Sequence, residues 1–163
     1  MALVKVKIKS IIYDDLYKSP VLILKEENGL GVVPLWIGKK EAELLNEFLI
    51  HNQKQADTNF PSLGDSMLYY ISETKGNIIR FVLDRIENSM YRGFVLIKNN
   101  KRIFKLYCRP TDGIALTLRA KSPIYSNENL MNFINDEDNL ENDYSFIRKY
   151  NQINQMNPEK YQF

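Results

Sequence analysis

The chain has 163 residues, 44% of them hydrophobic and 26% charged, with a formal net charge of +2. That balance is expected of a single globular domain with a real core, and it excludes collagen-like, low-complexity and disulfide-dense polypeptides. The small net charge conceals an asymmetry, because residues 1–135 carry 19 Lys and Arg against 14 Asp and Glu, whereas residues 136–163 carry 3 against 6. A domain over 1–135 followed by a polar, acidic-then-basic tail over 136–163 is the organisation this predicts.

A mildly basic body permits contact with nucleic acid without requiring it. One cysteine, Cys108, excludes an intramolecular disulfide. One histidine, His51, excludes a two-histidine acid–base pair and a multi-histidine zinc site within one chain. No apolar run approaches the roughly 18 residues of a membrane span, and the N-terminus alternates Lys with Val and Ile. No membrane partner is therefore expected, and the cytoplasm is the expected location.

"LVKVKIKSII" sets Val4, Val6 and Ile8 against Lys5, Lys7 and Lys9, which predicts a half-buried strand. Its lysine row reads as a solvated or edge-protecting face, with a phosphate-tracking surface as the alternative. Asp14-Asp15 reads as a turn. Residues 21–26 and 31–37 predict two strands around an Asn28-Gly29 turn, with Pro34 at an edge, bulge or strand end. Residues 39–52 carry Ala42, Leu45, Phe48 and Leu49 at helical spacing, with Glu41, Glu43 and Glu47 elsewhere on the wheel. His51, near the end of that helix, is expected to be solvated or to stabilise the helix dipole.

After a polar loop ending at Pro61, "SLGDSMLYYISETKG" predicts a second helix closed by Gly76. Three strands follow at about 77–87, 90–98 and 102–108, joined through Glu87-Asn88-Ser89 and Asn99-Asn100 as a meander. "RPTDGIALTLR" predicts a third helix, with Thr111 as its cap, Asp112 in its first turn and Pro123 beyond its end. "PIYSNENLMNFI" reads as a short extended piece and then a helix capped by Ser126. In the tail, Leu140, Tyr144, Ile147 and Tyr150 allow a marginal amphipathic helix. The order βββααβββαα describes an α+β domain with a mainly antiparallel sheet.

The third helix raises a chemical question. At about 100° per residue, Ile114, Leu118, Ala115 and Leu116 form its apolar arc, and Asp112 and Arg119 fall inside that arc. Charges turned inwards must be paired or line a pocket, because isolated buried charge is too costly.

Three stretches, "SPVLILKE", "VPLWIGKKEAELL" and "YCRPTDGIALTLRAKSPIY", together resemble the bifunctional nuclease family. The family pattern has Pro-Ile-Trp-Ile-Gly followed by Glu-Ala, and later Arg-Pro-Ser-Asp-Ala-Ile-Ala-Leu-Ala-Leu-Arg followed by Pro-Ile. The resemblance covers about residues 3 to 134. It implies hydrolysis of DNA or RNA phosphodiesters. The chain departs from the pattern at Gly113, where the family has Ala. It departs again at Phe60 and Gly64, which stand for the Arg and His of an Arg-Pro…Thr-His-Asp loop.

Phosphodiester hydrolysis needs an activated water and stabilisation of charge on the phosphate. Glu41, Asp112, Arg109 and Arg119 are the catalytic candidates, and Trp36, Lys39 and Lys40 are candidates for holding substrate. Asp112, Glu41 and Asp65, each at a predicted helix start, could converge, with Mg²⁺ or Mn²⁺ bound by one or two of them and waters completing the shell. The competing reading makes the protein a non-catalytic, homo-oligomeric module that binds nucleic acid or a small anionic ligand. In that reading Asp112 and the arginines are structural ion pairs, and Trp36 belongs to the core or an interface. Cys108 reads as a small hydrophobe, since no base lies near it in sequence.

Overall fold

The Lys–Val alternation at the N-terminus does build a strand, but one that runs through the middle of the sheet. The computed structural model describes residues 2–50, 62–100, 102–133 and 143–155, with side chains described as far as residue 152. His51, the loop 53–61 and Leu140 lie outside the described residues. Strand β1 (Leu3–Asp14) pairs antiparallel with β2 (Ser19–Glu26), and β2 with β3 (Gly31–Trp36). Helices α1 (Lys39–Ile50) and α2 (Leu63–Glu73) follow, then β4 (Gly76–Glu87), β5 (Met90–Asn99) and β6 (Arg102–Cys108). Helix α3 (Pro110–Arg119), β7 (Ile124–Asn127), β8 (Asn132–Phe133) and α4 (Asp143–Gln155) complete the chain.

The eight strands form one sheet in the order β6-β5-β4-β7-β1-β2-β3-β8. Every pairing is antiparallel except β4 with β7. The α+β class and the mainly antiparallel sheet are as expected; the element order is not. No helix begins at Ser126. That residue is fully buried in β7, its hydroxyl donating to the Asn127 carbonyl. Asn127 caps only a single 3-10 turn (Glu128–Leu130), accepting from the Asn129 N–H. The chain then turns extended to lay β8 along Gly31 and Val32. Pairing with strands on both sides wins over a cap signal that has no amphipathic run behind it.

Other local signals shift in similar ways. β1 lies between β7 and β2, so its lysine row protects no edge. A bulge between Ile8 and Ser10 lets Val4, Val6, Ile8 and Ile11 reach one core while Ile12 reaches another. The Asn28-Gly29 hairpin is wider than a two-residue turn: Glu27–Leu30 form its loop, closed by the Glu26 carboxylate on the Gly31 N–H. Pro34 sits beyond the end of β8, where β3 is the sheet edge. Gly76 opens β4 instead of closing α2; Lys75 takes the left-handed conformation at φ 58. Asn88 and Ser89, both at positive φ, make the tight turn between β4 and β5.

One face of the sheet carries α1, α2 and α3 over the main core, in which Leu22, Leu24, Leu45, Phe81, Leu83, Val95 and Ile114 are buried. α4 lies on the other face over β1–β3, seating Ile147 against Val21, Ile23 and Val32. The segment that composition sets apart as a tail thus contributes a docked helix. Asp143, in its first turn, binds Lys9 and Ser10. Near its far end, Asn151 donates to the buried Asp14 carboxylate, which also accepts from the Trp36 indole and the Leu16 N–H. Asp14 is therefore more than a turn residue: it joins β1, β3 and α4. No described helix is long and apolar enough to cross a membrane.

α3 approaches the sheet so closely that residue 113 has no room for a side chain. A Cβ there would come within 2.3 Å of the Phe81 ring and 2.9 Å of the Cys108 sulfur. Gly93, on β5, meets the same edge of that ring, its own virtual Cβ falling 2.5 Å from the Phe81 Cζ. Phe81 is fully buried. The glycine at 113 thus leaves room for the bulk of Phe81.

Two outcomes follow from this packing. Gly113→Ala should destabilise the protein by about 1–3 kcal/mol in a urea titration, and combining it with Phe81→Leu should cost less than the sum of the two single changes. Asp14→Ala, which orphans the Trp36 and Asn151 donors, should cost about 2–3 kcal/mol. It should also red-shift the emission of the chain's single tryptophan as α4 loosens; unchanged emission would mean that Asp14 does not hold α4 in place.

Candidate active site

α3 has a charged group at each end, and the two ends have different surroundings. At its start Arg109 is the N-cap residue and Pro110 the first helical position, a place where a missing N–H costs nothing. Thr111, expected as the cap, lies one position inside the helix. Its hydroxyl donates instead to Glu41 Oε1 of α1 at 3.0 Å. The other Glu41 oxygen accepts the Gly38 N–H at 2.7 Å, so one carboxylate both caps its own helix and holds α3.

Arg109 bridges two acids. It binds Asp112 bidentately, Nε to Oδ2 at 2.7 Å and Nη2 to Oδ1 at 3.1 Å, and its Nη1 lies 3.5 Å from Glu41 Oε1. The Asp112 side chain is 51% exposed and that of Arg109 72%. Asp112 is therefore paired as expected but does not face inwards. Thr111, Gly113 and Thr117 join Ile114, Ala115 and Leu116 in the buried surface. Those small and hydroxyl residues shift the buried arc to the side of the wheel opposite Asp112.

Arg119, at the far end of α3, is buried as predicted, with its side chain 9% exposed. Its Nε binds Asp65 Oδ1 at 2.9 Å, Nη2 lies 3.3 Å from Ser62 Oγ, and Nη1 donates to the Ala115 carbonyl. The guanidinium also stacks on Phe48 of α1, 4.1 Å from the ring centre. Asp65 and Ser62 form a reciprocal capping box at the start of α2. Arg119 thus clamps α1, α2 and α3 together. Burial alone would raise the Asp65 pKa, but hydrogen bonds from Ser62 and the charge of Arg119 outweigh it and hold the carboxyl below its ordinary value.

The three candidate carboxylates therefore divide between two places. Glu41 and Asp112 share Arg109, while Asp65 belongs to the Arg119 clamp seven residues further along the helix, roughly 10 Å away by its rise. Among the described residues no three His, Cys, Asp or Glu side chains converge as a metal-binding group. The oxygens of Glu41 and Asp112 are already engaged by Thr111, Gly38 and Arg109. Among the described residues the three carboxylates therefore do not converge on one Mg²⁺ or Mn²⁺ site.

Lys39 and Lys40 stand exposed in the first turn of α1, beside the Glu41 corner. Trp36 does not join them. It points to the other face of the sheet, its indole bound to Asp14, its ring against Tyr150 at 5.5 Å and edge-on to Tyr17 at 5.9 Å. There it lines a cavity of about 370 Å³ with Tyr17, Ser19, Ile37 and Gly38. Burial, and then the nearby Asp112 charge, push the Cys108 thiol up to about 11, so it stays protonated at neutral pH. Gly64 faces the Arg119 guanidinium: a Cβ there would lie 3.4 Å from its central carbon, an ordinary contact. A histidine at that position would sit beside the Asp65–Arg119 pair.

Because the Asp65 carboxylate is favoured by folding, its contribution is present above the unfolded pKa near 3.8 and is lost as pH falls through the lower folded value. Urea midpoints of the wild type should fall more steeply below about pH 4 than those of Asp65→Asn. Arg119→Ala should cost about 2 kcal/mol at neutral pH, by leaving a partly buried carboxylate unpaired and Phe48 uncovered.

Residues 22–137 match the family model described as the bifunctional nuclease domain. The chain is 27% identical over 125 residues to the uncharacterized proteins MT1877 and Rv1829 of Mycobacterium tuberculosis, a match covering 76% of this chain and 71% of theirs. Every candidate from Trp36 to Arg119 falls within the span of the family model, which takes in the strand β3 to helix α1 junction and the whole of α3. On that coverage, this chain belongs to the bifunctional nuclease domain family.

Proposed function

We propose that the protein is a sequence-nonspecific nuclease whose reacting phosphodiester is held at the Glu41–Arg109–Asp112 corner. Family membership supports the reaction class. The observation that carries the location is Arg109: it is exposed, it is held between two carboxylates, and it lies where the starts of α1 and α3 meet. Helix N-termini attract anions, and an arginine can match two phosphate oxygens at once.

When a phosphate takes over Arg109, Asp112 and Glu41 lose a cationic partner and one of them accepts the proton of an attacking water. The water oxygen bonds to phosphorus as the bond to the sugar oxygen breaks, and the sugar oxygen takes a proton from solvent. Arg109 counters the charge that develops on the phosphoryl oxygens, and Lys39 and Lys40, exposed in the same helical turn as Glu41, add positive charge to that end of α1. Arg119 is then a positioning residue, since it fixes the helices that carry the corner.

The second reading is a non-catalytic, self-associating module for nucleic acid or a small anion. Two observations favour it: each candidate carboxylate already has a basic partner, and Gly64 stands where the family pattern has histidine.

Plasmid DNA and single-stranded RNA, incubated with Mg²⁺, Mn²⁺ or EDTA, distinguish the two readings. Asp112→Asn and Glu41→Gln should each lower cleavage by about 10²-fold or more while leaving the fold intact by circular dichroism. Cleavage at the wild-type rate in both variants would remove the corner from catalysis. No cleavage by the wild type, together with a gain in Gly64→His, would establish the second reading and place the chemistry of relatives beside Asp65.

A further inference from the structure

On the face of the sheet that α4 shares, no described helix covers β7, β4, β5 and β6. The register sets one cross-sheet row there: Lys5 on β1, Tyr125 on β7, Val82 on β4, Phe94 on β5 and Tyr107 on β6. The adjacent row is Arg80, Leu96 and Lys105. Val82 and Phe94 are only 1% and 6% exposed although no described helix lies over them. Their cover is made of cationic stems and a phenol: Arg80 lies over Tyr125 at 5.2 Å, Lys105 over Phe94 at 4.3 Å, and Tyr107 edge-on to Phe94 at 5.8 Å. Such side chains bury their carbons and keep their charge at the water.

The charges on this face are uneven. Arg85 and Arg92 are offset by Asp84 and Glu87 at the β4–β5 turn, and Lys5 by Glu27. Arg80, Lys98 and Lys105 have no carboxylate partner among the described residues. The Arg80 Nε–H is buried and makes no hydrogen bond.

We propose that this open half-face binds single-stranded nucleic acid, separately from the Glu41–Arg109–Asp112 corner. Tyr125 and Tyr107 lie three strand spacings apart, about 14 Å, and Tyr107 is 62% exposed for a base to stack on. The Arg80–Lys105 row runs parallel to it, two residues along the strands or roughly 7 Å away, where a backbone beside stacked bases carries its phosphates. A duplex hides its base faces and offers Tyr107 nothing to stack on. The class of ligand rests on the nuclease reading; the location rests on this geometry alone.

The test is fluorescence anisotropy in EDTA with a short fluorescein-labelled poly(dT) or poly(U) strand, and with a duplex of equal length. Lys105→Glu should weaken single-strand binding about tenfold and flatten its salt dependence. Tyr107→Ala should weaken it at least about fivefold while leaving duplex binding unchanged. Both variants must match the wild type by circular dichroism. Wild-type affinity in both variants overturns the proposal. So does a loss in Lys105→Glu alone, which would describe an unspecific polyanion surface for duplexes or acidic proteins. Loss of binding in both variants, with no cleavage by the wild type in Mg²⁺, would leave this surface standing and remove the nuclease reading only.

Discussion

The seating of α3 on Phe81 fixes most of what is chemically interesting in this protein. With a bare glycine against the ring, the helix axis comes nearer to the sheet than an alanine would allow. That closeness sets the height of both helix ends. At one end Thr111 reaches Glu41, and at the other Arg119 reaches Asp65 and Phe48. The glycine costs some helix propensity, on the order of 0.5–1 kcal/mol in an interior position. Close packing of a fully buried aromatic ring offsets that cost.

The two arginines of α3 illustrate how burial divides one residue type into two roles. Arg119 is enclosed, multiply bonded and stacked, so moving it would break contacts among three helices. Arg109 is mostly in water, and ion pairs of such exposed groups are weak enough to exchange partners. A phosphate competing for Arg109 meets a small barrier; one competing for Arg119 would have to open the fold. This contrast, more than the number of charges, separates the exposed Arg109 corner from the clamp.

Much of the fold was legible in the chain itself. Alternation at Val4–Ile8, helical spacing at Ala42–Leu49 and the turn residues Asn88 and Ser89 act over a few residues, and the elements they predict are present. What escaped depended on partners distant in sequence. Nothing near Ser126 announces that strands will pair on both of its sides, and nothing near Thr111 indicates that its hydroxyl will meet Glu41. Asp14 read as a turn because its partners, Trp36 and Asn151, come from other elements. The expected inward turn of Asp112 is overturned for a different reason: an arc drawn through Ile114, Leu118, Ala115 and Leu116 leaves out Gly113, Thr111 and Thr117, which are also buried. The ion pairing of Asp112 follows from its neighbours in sequence, whereas its orientation and the separation of Asp65 from Glu41 and Asp112 depend on the helix in place.

β7 contains only four residues, yet it lies between β4 and β1, which do not bond to one another. The hairpins on either side of it can form from local contacts as soon as their sequences are available. Joining them must wait for a segment that follows both, and it includes the sheet's one parallel seam. Until that short strand inserts, β1 and β4 each present an unsatisfied backbone edge. The late part of the chain therefore governs when the early part is safe from pairing with a neighbour, and a growing polypeptide halted before Ile124 would consist of two sticky halves with no shared sheet.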